Sequence, residues 1–166
     1  MKYAIWLIPQ EPVYSKLKEI IKQLSIMYRG PQFEPHMTLV GHLNVDLSEV
    51  ESKARTLAIG LDRLELSLGS VSFSTTYFQS VFVRINPTAK LMQLNLDCKK
   101  VFGRENDLFM PHMSLLYDGD YDMAAREKAA SQVRLPSVSF IMDKFIIKPE
   151  TLDPKKWKHL VTIPFR

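Results

Sequence analysis

Cysteine occurs once in this chain, at Cys98, so no disulfide can close within it, and a reducing, cytoplasmic setting is expected. Cys98 lies in a helical pattern with no neighbour to activate a thiolate, and reads as core filler. Long hydrophobic runs are also missing. The apolar opening Ala4 to Ile8 is too short to cross a bilayer and lacks a small-residue cleavage site, so neither signal peptide nor membrane anchor is expected. No basic tract is present. The net charge of +4 suits an anionic ligand but not a duplex, so DNA is not an expected partner. Metal-ligand spacings such as His-Glu-x-x-His or paired cysteines are absent, and no metal or other cofactor is expected. A Gly-x-Ser-x-Gly elbow is missing too, which argues against a serine nucleophile.

Low-complexity segments and linkers are likewise absent. Six glycines against ten prolines, with 46% hydrophobic residues, describe a folded chain. Its 166 residues suit one domain, 1–166, built from two halves of about 1–75 and 76–166 and expected to act as a monomer.

What the chain does contain is one phrase written twice. Phe33-Glu34-Pro35-His36-Met37-Thr38-Leu39 returns as Phe109-Met110-Pro111-His112-Met113-Ser114-Leu115, each residue 76 positions later, with five of seven identical. Flanked by apolar residues, each copy reads as a short strand whose alternate side chains share a face. His36 and Thr38 then point one way and Met37 and Leu39 the other; His112 and Ser114 share a face in the same manner. Pro35 and Pro111 fix the approach to each strand.

The surrounding pattern repeats as well. Lys2 to Ile8 is rich in β-formers and stops at Pro9. From Val13 to about Tyr28, Leu17, Ile20, Ile21, Leu24 and Met27 recur with helical period, with Ser15 a candidate cap. A motif strand, His36 to Leu43, follows the Arg29-Gly30-Pro31 break. Then come a helix from Asp46 or Ser48 to about Ile59, closed by Gly60, and a β-rich stretch, Leu64 to Phe73. The same order recurs as a strand at Phe78 to Arg84, a helix from Thr88 to Phe102 ended by Gly103, a helix at about Met123 to Val133 and a strand at Phe140 to Lys148. A last strand, Trp157 to Phe165, follows the loop Pro149 to Lys156. The expected fold is α+β: a bilobal, pseudo-two-fold duplication with two antiparallel sheets facing a central groove and helices packed outside.

If the two histidines meet across that groove, they suit phosphodiester hydrolysis without a metal. One imidazole takes a proton from the attacking water and the other protonates the leaving oxygen. Thr38 and Ser114 would donate to the non-bridging oxygens. A lone histidine is more often a satisfied structural residue; duplication together with the hydroxyl two residues on reverses that preference. His42 and His159 have no motif and read as surface or strand-edge residues. Phe33 and Phe109 read as packing beneath loops. Trp6 and Phe78, in corresponding strands, could stack on a base, although strand aromatics more often pack a core. Strict alternation points Tyr117 away from Ser114. Lys148 could reach a phosphate or simply water.

The paired His-x-[Thr/Ser] units resemble the two-histidine (2H) phosphoesterase superfamily. Gly30 to Thr38, Tyr77-Phe78-Gln79, Met110 to Tyr117, Trp6 ahead of Pro9 and Thr151 to Trp157 are similar to the plant and fungal cyclic phosphodiesterase family. That resemblance implies a bilobal α+β fold and metal-independent hydrolysis of ADP-ribose 1″,2″-cyclic phosphate and of nucleoside 2′,3′-cyclic phosphates, the latter to 2′-phosphates. It implies His36 and His112 as catalytic, Thr38, Ser114 and Tyr117 as phosphate-binding, and Trp6 and Phe78 as groove aromatics. Plant relatives carry more cysteines, so with Cys98 alone their redox control does not carry over. Two other readings are processing of RNA ends, as in the ligase-like branch, and a non-catalytic nucleotide- or RNA-binding module.

Overall fold

The apolar opening of the chain forms β1 (Tyr3–Leu7), and the helix-period segment after it forms α1 (Val13–Tyr28). The computed structural model describes residues 1–118, 120 and 122–165. After α1 come β2 (Met37–Leu43), α2 (Leu47–Ala58), β3 (Leu64–Phe73), β4 (Val81–Ile85) and α3 (Ala89–Val101). The chain continues through β5 (His112–Leu116), α4 (Met123–Gln132), β6 (Ser139–Met142), β7 (Lys144–Pro149), a single 3-10 turn (Pro154–Lys156) and β8 (Val161–Pro164).

The strands build two antiparallel four-stranded sheets, in the orders β2-β1-β7-β8 and β5-β4-β3-β6. The 76-residue repeat is visible in the register. Trp6 lies opposite Thr38 and Leu7 opposite Met37 in the first sheet; Phe82 lies opposite Ser114 and Val83 opposite Met113 in the second. The repeat is also crossed. β3, from the first half of the sequence, joins β4 and β5; β7, from the second half, joins β1 and β2. Helices cross as well, with α1 packed on β5 and α3 on β2, whereas α2 covers β7 and β8 and α4 covers β3 and β4. The α+β class, the facing sheets and the outer helices are as the sequence indicated.

Alternation decides which face is core. Met37, Leu39, Met113 and Leu115 are buried, as are Ile5, Leu7, Val81 and Val83. Each such side chain contributes on the order of 1.5–3 kcal/mol through burial. Their strand neighbours of opposite parity, Trp6 and Thr38, turn to the groove. Cys98 is buried in the core, where loss of water pushes its thiol up to about 12. Gly60 and Gly103 follow α2 and α3 with φ of 76° and 65°, backbone that a side chain would strain.

Four expectations need correction. Ser15 does not cap α1; the helix begins at Val13, and the Glu11 carboxylate accepts from the Ser15 backbone N–H (3.1 Å) and hydroxyl (2.6 Å) instead. The stretch Phe140 to Lys148 is two strands, because the chain leaves one sheet for the other at Asp143. There the carbonyl accepts from Phe165 N–H (2.7 Å) and the carboxylate from the Gln10 side-chain amide (2.5 Å). Phe78 lies in the 74–80 loop before β4, so the strand counterpart of Trp6 is Phe82. Trp157 lies after the 3-10 turn, outside β8.

Candidate active site

Each histidine is oriented by the backbone two residues before it. His36 Nδ1 lies 2.7 Å from the Glu34 carbonyl and His112 Nδ1 lies 2.7 Å from the Met110 carbonyl. A carbonyl only accepts, so in both neutral rings Nδ1 carries the proton and Nε2 presents a lone pair. Glu34 is itself pinned. Its carboxylate accepts from Tyr14 Oη (3.0 Å) and lies 2.6 Å from His159 Nε2. His159 is thus an exposed partner of Glu34 and not a groove residue.

The rings are buried differently. Trp6 lies flat on His36, with centroids 3.4 Å apart and planes 10° from parallel, and Trp157 meets the same imidazole edge-on at 5.7 Å. His36 is only 7% exposed. Burial, with Lys148 and His112 adding positive field, pushes its pKa down to about 3 against the pull of the Glu34 carbonyl. His112 has Phe82 edge-on at 5.6 Å, and the Gln79 amide donates to its Nε2 at 2.9 Å. Burial and the Arg84 charge lower its pKa too, opposed by the Met110 carbonyl. Both rings are neutral in the empty site at neutral pH.

The two hydroxyls also differ. Thr38 is exposed in the groove and its hydroxyl hydrogen-bonds to no described residue. Ser114 Oγ donates to the Phe78 carbonyl at 2.5 Å, so a phosphate would gain that proton only after one torsion turns. Tyr117 shares a hydrogen bond with Ser114, and burial holds its phenol well above the ordinary range. Within β5 the register slips by one residue between Ser114 and Leu116, which breaks alternation and brings Tyr117 back to Ser114. Its ring stacks on Phe33 at 3.8 Å, so Phe33 does pack beneath, as expected.

These residues converge on one groove of about 590 Å³, lined by His36 just ahead of β2, Thr38 and Trp6 from the first sheet, His112 and Ser114 from the second, and Tyr77, Phe78 and Tyr117. His42 also reaches it; the residue sits at φ 55° with its imidazole 2.8 Å from the Glu150 carboxylate. A second groove of about 350 Å³ shares Thr38, His42, Gln79, His112 and Glu150 and runs out past Phe109.

Sequence reasoning gave too little weight to four residues. Gln79 touches His112 from the 74–80 loop. Arg126, on α4, holds that loop: its guanidinium donates to the carbonyls of Ser74 (2.6 Å), Thr76 (3.0 Å) and Asp118 (2.6 Å). Trp157 packs against Trp6, Phe33, His36, Phe78 and Tyr117. Lys148 lines the groove from β7. Among the described residues no cluster of three or more His, Cys, Asp or Glu is placed to hold a metal, and no helix is long and apolar enough to cross a membrane.

A family model described as "Cyclic phosphodiesterase-like protein" matches residues 1–144. The chain is 27% identical over 142 residues to the cyclic phosphodiesterase of Arabidopsis thaliana, covering 85% of this chain and 77% of that one. It is 25% identical over 139 residues to a 2′,3′-cyclic-nucleotide 3′-phosphodiesterase of Yarrowia lipolytica, covering 77% and 61%. A crystal structure from Thermus thermophilus shares the fold with a TM-score of 0.67 at 18% identity, covering 100% of this chain and 98% of that one. E. coli LigT complexed with 3′-AMP shares it with a TM-score of 0.60 at 16% identity, covering 99% of each.

Proposed function

Because the chain belongs to the cyclic phosphodiesterase-like family, and is accordingly a phosphoric diester hydrolase, we propose that it opens nucleoside 2′,3′-cyclic phosphates, ADP-ribose 1″,2″-cyclic phosphate or both, using His36 and His112 as its acid–base pair. The observation that carries this reading is the register. Thr38 and Ser114 sit at matching register positions on the two sheets, each has its histidine two residues before it, and all four line one groove.

The chemistry balances with these groups alone. A neutral imidazole takes a proton from water through Nε2 as the water oxygen bonds to phosphorus. The P–O bond to one ribose oxygen breaks, and the other imidazole, protonated, gives its proton to that oxygen. The product is an open phosphomonoester, the 2′-phosphate for a nucleoside 2′,3′-cyclic substrate. Each role contributes about 10² to 10⁴-fold in rate. Both rings are neutral when the groove is empty, so the acid's proton arrives with the substrate, whose negative charge raises the pKa of whichever imidazole faces it. Thr38 offers its free hydroxyl to a non-bridging oxygen, Ser114 offers its own on turning from Phe78, and Tyr117 supports Ser114. Phe78, half-buried, supplies a flat wall on which a base can stack, whereas Trp6, with His36 and Lys148 over its ring, serves the groove by covering the imidazole.

The test is turnover of 2′,3′-cyclic mononucleotides and ADP-ribose 1″,2″-cyclic phosphate in EDTA, with His36→Ala and His112→Ala alongside. Turnover that survives chelation and collapses in both variants is expected. Activity persisting in either variant would sink the paired-histidine mechanism.

The second groove favours one further reading. It continues from His112 and Thr38, which leaves room for a substrate longer than a mononucleotide, such as an RNA end carrying a cyclic phosphate. Faster turnover of short cyclic-phosphate-ended oligonucleotides than of mononucleotides would favour it.

A further inference from the structure

Lys148 is a buried cation with no carboxylate at ion-pair distance among the described residues, although the Glu150 charge is near enough to favour its ammonium form. The residue is 4% exposed, and its ammonium lies 4.2 Å from the Trp6 ring centre and 4.0 Å from that of Trp157, over both rings. Among the described residues the ammonium makes no hydrogen bond and no ion pair. The nearby carboxylate, Glu150, is occupied by His42, which donates its backbone N–H at 2.8 Å and places its ring nitrogen 2.8 Å away. An ammonium has three protons to donate, and two indole faces satisfy its charge but none of its hydrogen-bonding directions. The nitrogen is not sealed off, since Asp143 Oδ1 is the fully buried unpartnered polar atom among the described residues, so its unused protons are available to a polar group that enters the groove.

The position shows what would arrive. Lys148 pairs with Ala4 across β1 and β7, and the small Ala4 side chain leaves space for the long one to cross toward Trp6. His36 lies against that same indole, and Lys148 and His36 line the same groove. Burial also makes the amine easier to deprotonate, at about 8, a condition that a bound anion reverses.

We propose that the Lys148 ammonium is a ligand for a phosphate oxygen of the bound substrate. The identity of that substrate rests on the hydrolase reading above; the anion site does not. Two phosphates could supply the oxygen: the cyclic phosphate itself, or a second one elsewhere on the nucleotide.

The chain has two tryptophans, Trp6 and Trp157, and both flank Lys148, so intrinsic fluorescence reads this site. Inorganic phosphate titrated into the intact protein should give a saturable change. Lys148→Met keeps the apolar stem between the indoles and removes the charge, and Lys148→Gln is the second variant. Thermal unfolding selects whichever retains the wild-type midpoint. In that variant phosphate affinity and kcat/KM should fall about 10- to 100-fold, the range for a lost charge-assisted hydrogen bond. Equal losses on adenosine 2′,3′-cyclic phosphate with and without a 5′-phosphate assign the contact to the cyclic phosphate. A loss confined to the 5′-phosphorylated substrate assigns it to the second. Phosphate affinity and kcat/KM both within twofold of wild type, in a folded variant, overturn the proposal. An intact protein that turns over no cyclic phosphate, yet binds inorganic phosphate through Lys148, would remove the hydrolase reading and leave the anion site standing.

Discussion

Gln79 donates to Nε2 of His112 across 2.9 Å, and no described residue does the same for His36. The repeat makes the two histidines alike in sequence; the 74–80 loop makes them unlike in environment. A donor on the Nε2 lone pair stabilises the neutral ring and so lowers its pKa.

Replacing Gln79 with Leu removes that donor. The His112 pKa is expected to rise, and the limb of the pH–rate profile that it governs to move with it. Proton NMR titration of the ring checks this directly, and an unmoved midpoint would show that the contact does not set its protonation.

Trp6 covers His36 as a lid of matching shape. Trp6→Ala should destabilise the fold by about 3–5 kcal/mol, as for other buried aromatic truncations, and admit water to the imidazole. Burial is the largest cause of the low His36 pKa, so the ring should then titrate closer to the ordinary range. Trp6→Phe keeps a flat ring and should retain most of both properties. Chemical denaturation and NMR titration separate the two effects.

Acid stability follows from the same burial. His36 is held at about 3 in the fold, against 6.5 for the free side chain. As pH falls below 6.5 the unfolded chain takes up a proton that the folded one refuses, so stability is lost across that interval and levels off below about 3. His112 is shifted in the same direction. The His36 share is on the order of a few kcal/mol. Urea midpoints at several pH values should show a shallower acid limb in His36→Gln; an identical slope would refute the assignment.

Arg126 is buried beside Asp118, with Nε 3.4 Å from the carboxylate, and its other donors hold the loop that bears Phe78 and Gln79. Arg126→Ala leaves Asp118 and three carbonyls short of a donor, and a cost of about 3–5 kcal/mol is expected. Activity should fall further than in Gln79→Leu, because the loop loosens as a whole. Comparing kcat/KM of the two variants at a temperature where both are folded tests the order.

The chain is also proposed to unfold as one unit. A single buried cluster joins Ile5, Val40 and Phe145 of the first sheet to Val83, Met113 and Phe140 of the second, and each sheet contains a strand from the other half. Far-UV circular dichroism and tryptophan fluorescence should report coincident transitions. Separate midpoints would mean two independent units.

The histidine–hydroxyl pairs were legible because they are local: a repeated heptapeptide with strand parity carries its own geometry. Tyr117 needed the resemblance, since parity pointed it the wrong way and the ladder slips by one residue inside β5, between Ser114 and Leu116. Phe78 reached the groove from a loop, while Phe82 took the strand position that matches Trp6. Lys148, left open between a phosphate and water, and Trp157, placed at the start of a strand, were under-read for a different reason. A charge in Phe145-Ile146-Ile147-Lys148 has a face only once β7 has a sheet, and that depends on the turn at Asp143 and on β1, far away in sequence. Trp157 sits in irregular chain, where periodicity says nothing.

The crossing of β3 and β7 sets an order of events during translation. Leu7 pairs with Phe145 and Tyr3 with Pro149, so β1 leaves the ribosome and waits for nearly the whole chain before its inner neighbour exists. At about 5–20 residues per second that wait is on the order of ten seconds. Meanwhile β3, β4 and β5 lie close together along the chain and need no such delay. Three strands of the sheet bearing His112 are expected to pair first, with β6 completing it and β7 closing the other sheet almost together. Limited proteolysis of stalled nascent chains would show β1 cut readily until β7 is clear of the exit tunnel. The groove would then form last, at the seam, when the final wall of the first sheet arrives with Lys148.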